Sequence, residues 1–172
     1  MNGLLYSHFC HSTAKIKDAM LNLTNIDHKV QLGLSITGYE FPEQVGDNWL
    51  MIVVTVAQAE KVFESADPAL QTTDLVDLHD WFECLSSNRL PRYSRLTFIE
   101  PCLEFEFLAR EESNVRIAIK LNHELKPAFN LEQFGRASEN WSIVFNIGKS
   151  EFSGILKSLS LAIQQYPIRS KS

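Results

Sequence analysis

From Leu103 onward the side chains alternate in polarity, with Leu103, Phe105 and Phe107 on one side of an extended chain and Glu104 and Glu106 on the other. Beyond the polar turn Arg110-Glu111-Glu112-Ser113-Asn114 the alternation resumes. Val115, Ile117, Ile119 and Leu121 now face one way, Arg116, Lys120 and Asn122 the other. Period-two alternation on both sides of a short polar loop predicts an antiparallel hairpin with one wet face, Leu103–Ala109 with Val115–His123. Setting Leu103 opposite Leu121 also sets Glu104 opposite Lys120, so the apolar and charge registers agree.

Other strands follow from the same reading. Val30, Leu32, Leu34 and Ile36 alternate with Gln31, Gly33, Ser35 and Thr37, ending in the turn-rich Gly38-Tyr39-Glu40-Phe41-Pro42. Trp49 to Val56 is almost continuously apolar and β-branched, which predicts a central strand covered on both faces, with Trp49 and Phe105 in the core. Lys61 to Ser65 returns beside it until Asp67-Pro68, Leu96 to Ile99 makes a short strand, and Trp141, Ile143, Phe145 and Ile147 alternate in a last one. Residues 124–139, with Pro127 and Gly135, read as a loop.

Two segments carry helical spacing. The first starts at Thr72 or Thr73, either able to cap free backbone N–H groups, with Asp74 and Asp77 at the positive end of the dipole. Leu75, Leu78, Phe82 and Leu85 form its buried stripe, with Trp81 at the margin and the most exposed of the three tryptophans. The second runs from about Ser150 to Tyr166, where Phe152, Ile155, Leu156, Leu159, Ile163 and Tyr166 share a face and Pro167 stops it. The sum is an α+β domain over residues 27–169: a single antiparallel, curved β-sheet of about six to seven strands, with two α-helices packed on one face. Residues 1–26 read as a weakly ordered N-terminal extension with a short helix over 14–23, so removing residues 1–19 is expected to leave stability unchanged.

The 172-residue length suits one full-sized domain, and 45% apolar with 22% charged residues is ordinary for a packed, water-soluble protein. Sixteen basic against twenty-one acidic side chains leave a net charge of −5. Such a surface repels phosphate backbones, which argues against nucleic acid, and attracts a basic protein partner. Three scattered cysteines, Cys10, Cys84 and Cys102, support neither a disulfide framework nor a zinc ribbon and suit a reducing cytosol. No stretch approaches a membrane span.

Candidate chemistry is sparse, and no cofactor is implied. His8, Cys10 and His11 are the only close set of metal-ligand types, but they fall in the least patterned part of the chain, and no metal site is expected. His123-Glu124 fails the zincin helix motif because Pro127 stands where the second His belongs. No nucleophile elbow or phosphate loop occurs, so no catalytic residue is assigned. Asp67, Glu100, Glu104 and Glu106 are the carboxylates a small enzyme would draw on, and cross-strand pairing on a wet face accounts for the hairpin ones. Asp77, Asp80 and Glu83 share the helix face opposite the buried stripe. They form either a solvated face or an acidic patch that docks on a basic partner.

Several segments, taken in order, resemble a known family: Gly38-Tyr39-Glu40-Phe41-Pro42, Asp47-Asn48-Trp49-Leu50 and Asp67-Pro68-Ala69-Leu70 before a helix with Leu75 and Trp81. Phe98-Ile99-Glu100-Pro101 with Leu103, Phe105 and Phe107, then Glu124-Leu125-Lys126-Pro127 and Gln165-Tyr166-Pro167 continue the series. Together, from about Val30 to Arg169, they are similar to the WapI-like immunity proteins of bacteria, with Phe129 where that pattern leads to Trp. The resemblance implies a cytoplasmic, non-catalytic protein whose partner is a cognate toxin domain delivered in contact-dependent competition, its contact candidates being Asp77, Asp80 and Glu83. The competing readings are a small enzyme with a carboxylate site and a regulatory module that self-associates through a sheet edge.

Overall fold

The computed structural model describes residues 19–170, apart from positions 26, 28, 113 and 134. Strands β1 (Leu21–Asn25), β2 (Val30–Tyr39), β3 (Trp49–Gln58) and β4 (Lys61–Gln71) form one antiparallel sheet in that order. Helix α1 (Thr72–Ser86) follows. A second four-stranded antiparallel sheet has the order β10-β7-β6-β5, from β5 (Arg95–Thr97), β6 (Leu103–Glu111), β7 (Asn114–Leu121) and β10 (Trp141–Ile147). A 3-10 turn (His123–Leu125) and a small hairpin of β8 (Leu131–Gln133) and β9 (Arg136–Ser138) lie between β7 and β10, and α2 (Lys149–Gln165) ends the fold.

The α+β class and two helices of the sequence reading hold, but the single sheet does not: the strands divide between two four-stranded sheets and the small hairpin. Alternation identifies a strand but not its neighbour. β4 is a poor template for another strand, because its register with β3 shifts between Leu50 and Ile52, around Pro68 and Ala69, and proline cannot donate to a ladder. The sheets instead meet where β1 packs on β10, with the Asn25 side-chain amide donating to the Val144 carbonyl. The helices belong to the same core. They pack on each other, and the Phe82 ring of α1 lies 6.0 Å from Phe105 of β6 and 6.3 Å from Phe152 of α2. One continuous core thus joins both sheets and both helices.

The predicted hairpin is present in its predicted register, with Leu103 opposite Leu121 and Glu104 opposite Lys120, and with Leu103, Phe105, Ile117 and Ile119 fully buried. Its alternation breaks once. The register shifts between Phe107 and Ala109, so Leu108 bulges out and Arg110 comes opposite Val115 on the inward face. A single inserted residue reverses which parity points inward.

Other expectations are corrected. Leu21–Asn25 is a strand paired with β2, Leu23 opposite Leu32, where the sequence suggested the tail of a helix and an extension reaching residue 26. The first eighteen residues, with His8, Cys10 and His11, lie outside the described residues. Asp67-Pro68 lies within β4, with the bulge at Pro68 and Ala69, and does not end the strand. β3 is buried on one face only, which leaves Trp49 half-buried. Part of the expected 124–139 loop is the β8–β9 hairpin, held because the buried Gln58 amide pairs with the Glu132 backbone at 2.6 and 2.9 Å. Neither threonine caps α1: Gln71 does, its backbone N–H donating to Asp74 Oδ2 at 2.7 Å.

Candidate functional site

Helix α1 presents residues 77, 80, 81 and 84 along one side, the spacing that makes neighbours on a helical surface. Asp77 and Asp80 are exposed there, whereas Trp81 is buried, against the expectation that it would be the most exposed tryptophan. The indole needed an acceptor, and the fold supplies one: Trp81 Nε1 donates to the Tyr93 carbonyl at 3.1 Å. This bond ties the segment after α1 back across the helix. Asp77, Asp80, Trp81 and Cys84 on one side and Pro91 to Thr97 on the other border a cleft of about 670 Å³.

Several bonds hold this cleft open in a fixed shape. Arg110, turned inward by the bulge at Leu108, donates to the Leu85 carbonyl and to Asn88 Oδ1, each at 2.7 Å. The last turn of α1 has no basic residue of its own, so Arg110 supplies the positive charge its C-terminus favours. The Phe107 N–H donates to the Ser94 carbonyl at 2.7 Å, and the Arg89 N–H to the Cys84 carbonyl at 2.8 Å.

The three acidic candidates differ in their surroundings. Asp77 makes no ion pair among the described residues, Asp80 has only His79 at 3.5 Å, and Glu83 faces Arg89 at 3.8 Å. Asp77 and Asp80 border the cleft and Glu83 does not. The acidic helix face was legible in the sequence. The opposing wall of Arg92, Tyr93, Arg95 and Thr97 was not, because long-range bonds place it there: the Trp81–Tyr93 bond, the Phe107–Ser94 bond and the pairing of β5 with β6.

The remaining carboxylates fall into separate groups. Glu104 and Glu106 bind Lys120 Nζ at 2.6 and 3.1 Å and Arg95 at 3.1 Å each, a closed cross-strand network on the wet face of the hairpin. The Lys120 ammonium holds Glu106 below the usual glutamate range, and Glu104 with Glu106 raises Lys120 in return. Glu106 therefore has no proton to give near neutral pH, which makes it unsuited to general-acid work. Asp67 lies elsewhere, with Glu124 beside the buried Cys102, whose sulfur is 3.6 and 3.5 Å from the two carboxylates. These three residues could offer donor atoms to a metal ion. Burial and the two flanking acids push the Cys102 thiol up to about 12, so it stays protonated and donates to the acids.

A further polar cluster joins the first sheet to the end of α2. Arg169 lies over the Tyr39 ring at 3.7 Å and donates to the carbonyls of Pro42 at 2.8 Å, Phe41 at 3.1 Å, and Asp47. Its backbone N–H reaches Asn48 Oδ1 at 2.7 Å, while the Tyr39 hydroxyl donates to the Pro167 carbonyl at 2.6 Å. Three of the segments that carry the family resemblance meet here.

The sequence matches the immunity protein WapI-like family over residues 22–167, and the chain belongs to that family. No curated protein sequence matches it. Among solved structures the chain is similar to the plant transcriptional regulator PBF-2, at 12% identity and a TM-score of 0.42, over 85% of this chain and 81% of that one. No helix among the described residues is long and apolar enough to cross a membrane.

Proposed function

We propose that this chain is a cytoplasmic immunity protein that neutralises a cognate toxin domain of contact-dependent competition by binding it, without catalysis. Family membership across residues 22–167 is the observation that carries the reading. The surface supports it. Asp77, Asp80 and Glu83 stand exposed on one helix of a chain with net charge −5, and such a field steers a basic domain toward it. Self-association through a sheet edge has less support, because the outer edges are the three-residue β5 and the bulged, proline-containing β4.

The test is co-expression with the toxin domain encoded in the adjoining reading frame, followed by association kinetics. The wild type should protect cells and bind the toxin. The variant Asp77→Lys/Asp80→Lys/Glu83→Lys should associate roughly ten-fold more slowly at low salt, lose salt dependence and keep the wild-type melting curve. Unchanged association would clear the helix face of a role. A wild type that neither protects nor binds would overturn the immunity reading.

A further inference from the structure

We propose that the cleft between α1 and residues 91–97 is a preformed socket for one arginine or lysine side chain of the toxin domain. This inference rests on the immunity reading and names the contact through which it would act.

Three observations lead to it. The first is balance of charge. Two arginines border the cleft, which at first suggests an anion, but Arg95 is already paired and Arg92 is a single exposed guanidinium against two aspartates. Arg95 is held by Glu104 and Glu106 at 3.1 Å each, and Arg92 lies over the Tyr93 ring at 5.1 Å. The Asp77 carboxylate has no ion-pair partner among the described residues, and that of Asp80 has only a histidine at 3.5 Å. The acceptors left open in the cleft are thus carboxylates, which a guanidinium or an ammonium satisfies with charge-assisted hydrogen bonds.

The second is the mixed character of the walls. Long basic side chains carry an apolar stem behind a charged head, and they bind best where an apolar wall adjoins an acidic rim. Leu96 and the edge of Trp81 line the cleft beside the two aspartates, and Tyr93, 59% exposed, adds an aromatic face. A volume of about 670 Å³ leaves room for the neighbouring residues of a loop as well.

The third is rigidity. The Trp81–Tyr93, Arg110–Leu85, Arg110–Asn88 and Phe107–Ser94 bonds fix both walls before any partner arrives. A socket already in shape loses little conformational entropy on filling.

Cys84 lines this cleft and serves as the reporter. The full chain is treated with N-ethylmaleimide, and modification of the Cys84 peptide is timed by mass spectrometry under several conditions. Agmatine, an alkyl guanidinium, should slow modification several-fold at millimolar concentration, and inorganic phosphate should not. Asp77→Asn/Asp80→Asn should abolish the agmatine effect while the melting curve stays in place. Protection by phosphate and not by agmatine would overturn the socket in favour of an anion site. Protection by neither would overturn it outright, whatever the toxin does.

With the toxin domain bound, Cys84 modification should slow at least ten-fold, and chain already modified at Cys84 should bind at least ten-fold more weakly. Cys84→Ala should bind like the wild type, which separates blockage from loss of the thiol. A toxin complex that forms normally on the modified chain would remove the socket and leave the immunity reading standing. Agmatine protection without any toxin complex would do the reverse, sustaining a site for basic side chains and removing this toxin as its source.

Discussion

Arg169 lies over the ring of Tyr39 at 3.7 Å and Arg92 over that of Tyr93 at 5.1 Å, yet the two pairs sit in opposite settings. Around Arg169 every neighbour is an acceptor already in place: the carbonyls of Phe41, Pro42 and Asp47, with Asn48 beside its backbone. Around Arg92 no hydrogen bond or ion pair forms among the described residues, and an open cleft lies next to it. A planar cation held by several carbonyls inside the fold is a brace, and the same group with no hydrogen-bond partner is available to a ligand. Three of the segments that carry the family resemblance meet at the first pair, and of the residues that line the cleft only Trp81 belongs to any of them. The likeness to the family thus falls on the scaffold, and the cleft proposed as a socket lies beside it.

The largest effect expected is on the support common to both regions. Phe105 touches the rings of Trp81, Phe82 and Phe98 at 6.0–6.2 Å, so Phe105→Ala should cost about 3–5 kcal/mol in denaturant melts. A loss under about 1 kcal/mol would remove Phe105 from the core.

Next comes the brace. Arg169→Ala should lower stability by about 2–3 kcal/mol, the scale for hydrogen bonds to a charged group, and leave toxin affinity untouched. Arg169→Lys should restore little, since an ammonium cannot span several carbonyls as the guanidinium fork does. Full rescue by lysine would reduce the brace to a point charge.

Arg95 stands between the two cases, bordering the cleft yet held by Glu104 and Glu106. Lys120, through its hydrogen bond, lowers Glu106, so that contribution is complete above the ordinary glutamate range and lost as pH falls through the lowered value. Lys120 is raised, chiefly by Glu104, so its contribution is complete below the ordinary lysine range and lost as pH rises through the raised value. Melts against pH should decline on both flanks, and Lys120→Met should flatten both. Flanks unchanged by that substitution would show that the network does not set them.

The smallest effect on stability belongs to Arg92. Arg92→Ala should move the melt by less than about 0.5 kcal/mol, as expected of an exposed side chain without a hydrogen bond or ion pair. A larger loss would make the second pair a brace as well and end the contrast.

Much of the scaffold was legible before any coordinates. The hairpin register, the α1 stripe and α2 follow from local periodicity alone, because each buried face repeats at the period of its element. The division into two sheets was not, since alternation names strands and not neighbours. Gln58, Arg110 and Arg169 read as ordinary polar residues, and each acquires its role from a segment distant in sequence. The acidic face of α1 showed in its spacing. The opposite wall of the cleft was hidden, because an indole N–H seeking an acceptor leaves no mark in the sequence on the residue that will provide one.

The bulge at Leu108 makes β6 behave like a wave with a half-period slip. Before it the odd-numbered residues point to the helices, and beyond it the even-numbered ones do. Pairing Leu108 into the ladder in place of the bulge, with every residue kept, would make the strand more regular by every local measure, with an unbroken alternation of faces. It would also carry Arg110 to the outer face, leave the end of α1 without its cation, and release the connection that walls the cleft. A designer who idealised this strand would keep the fold's outline and cut the mechanical link between a sheet and the surface it supports.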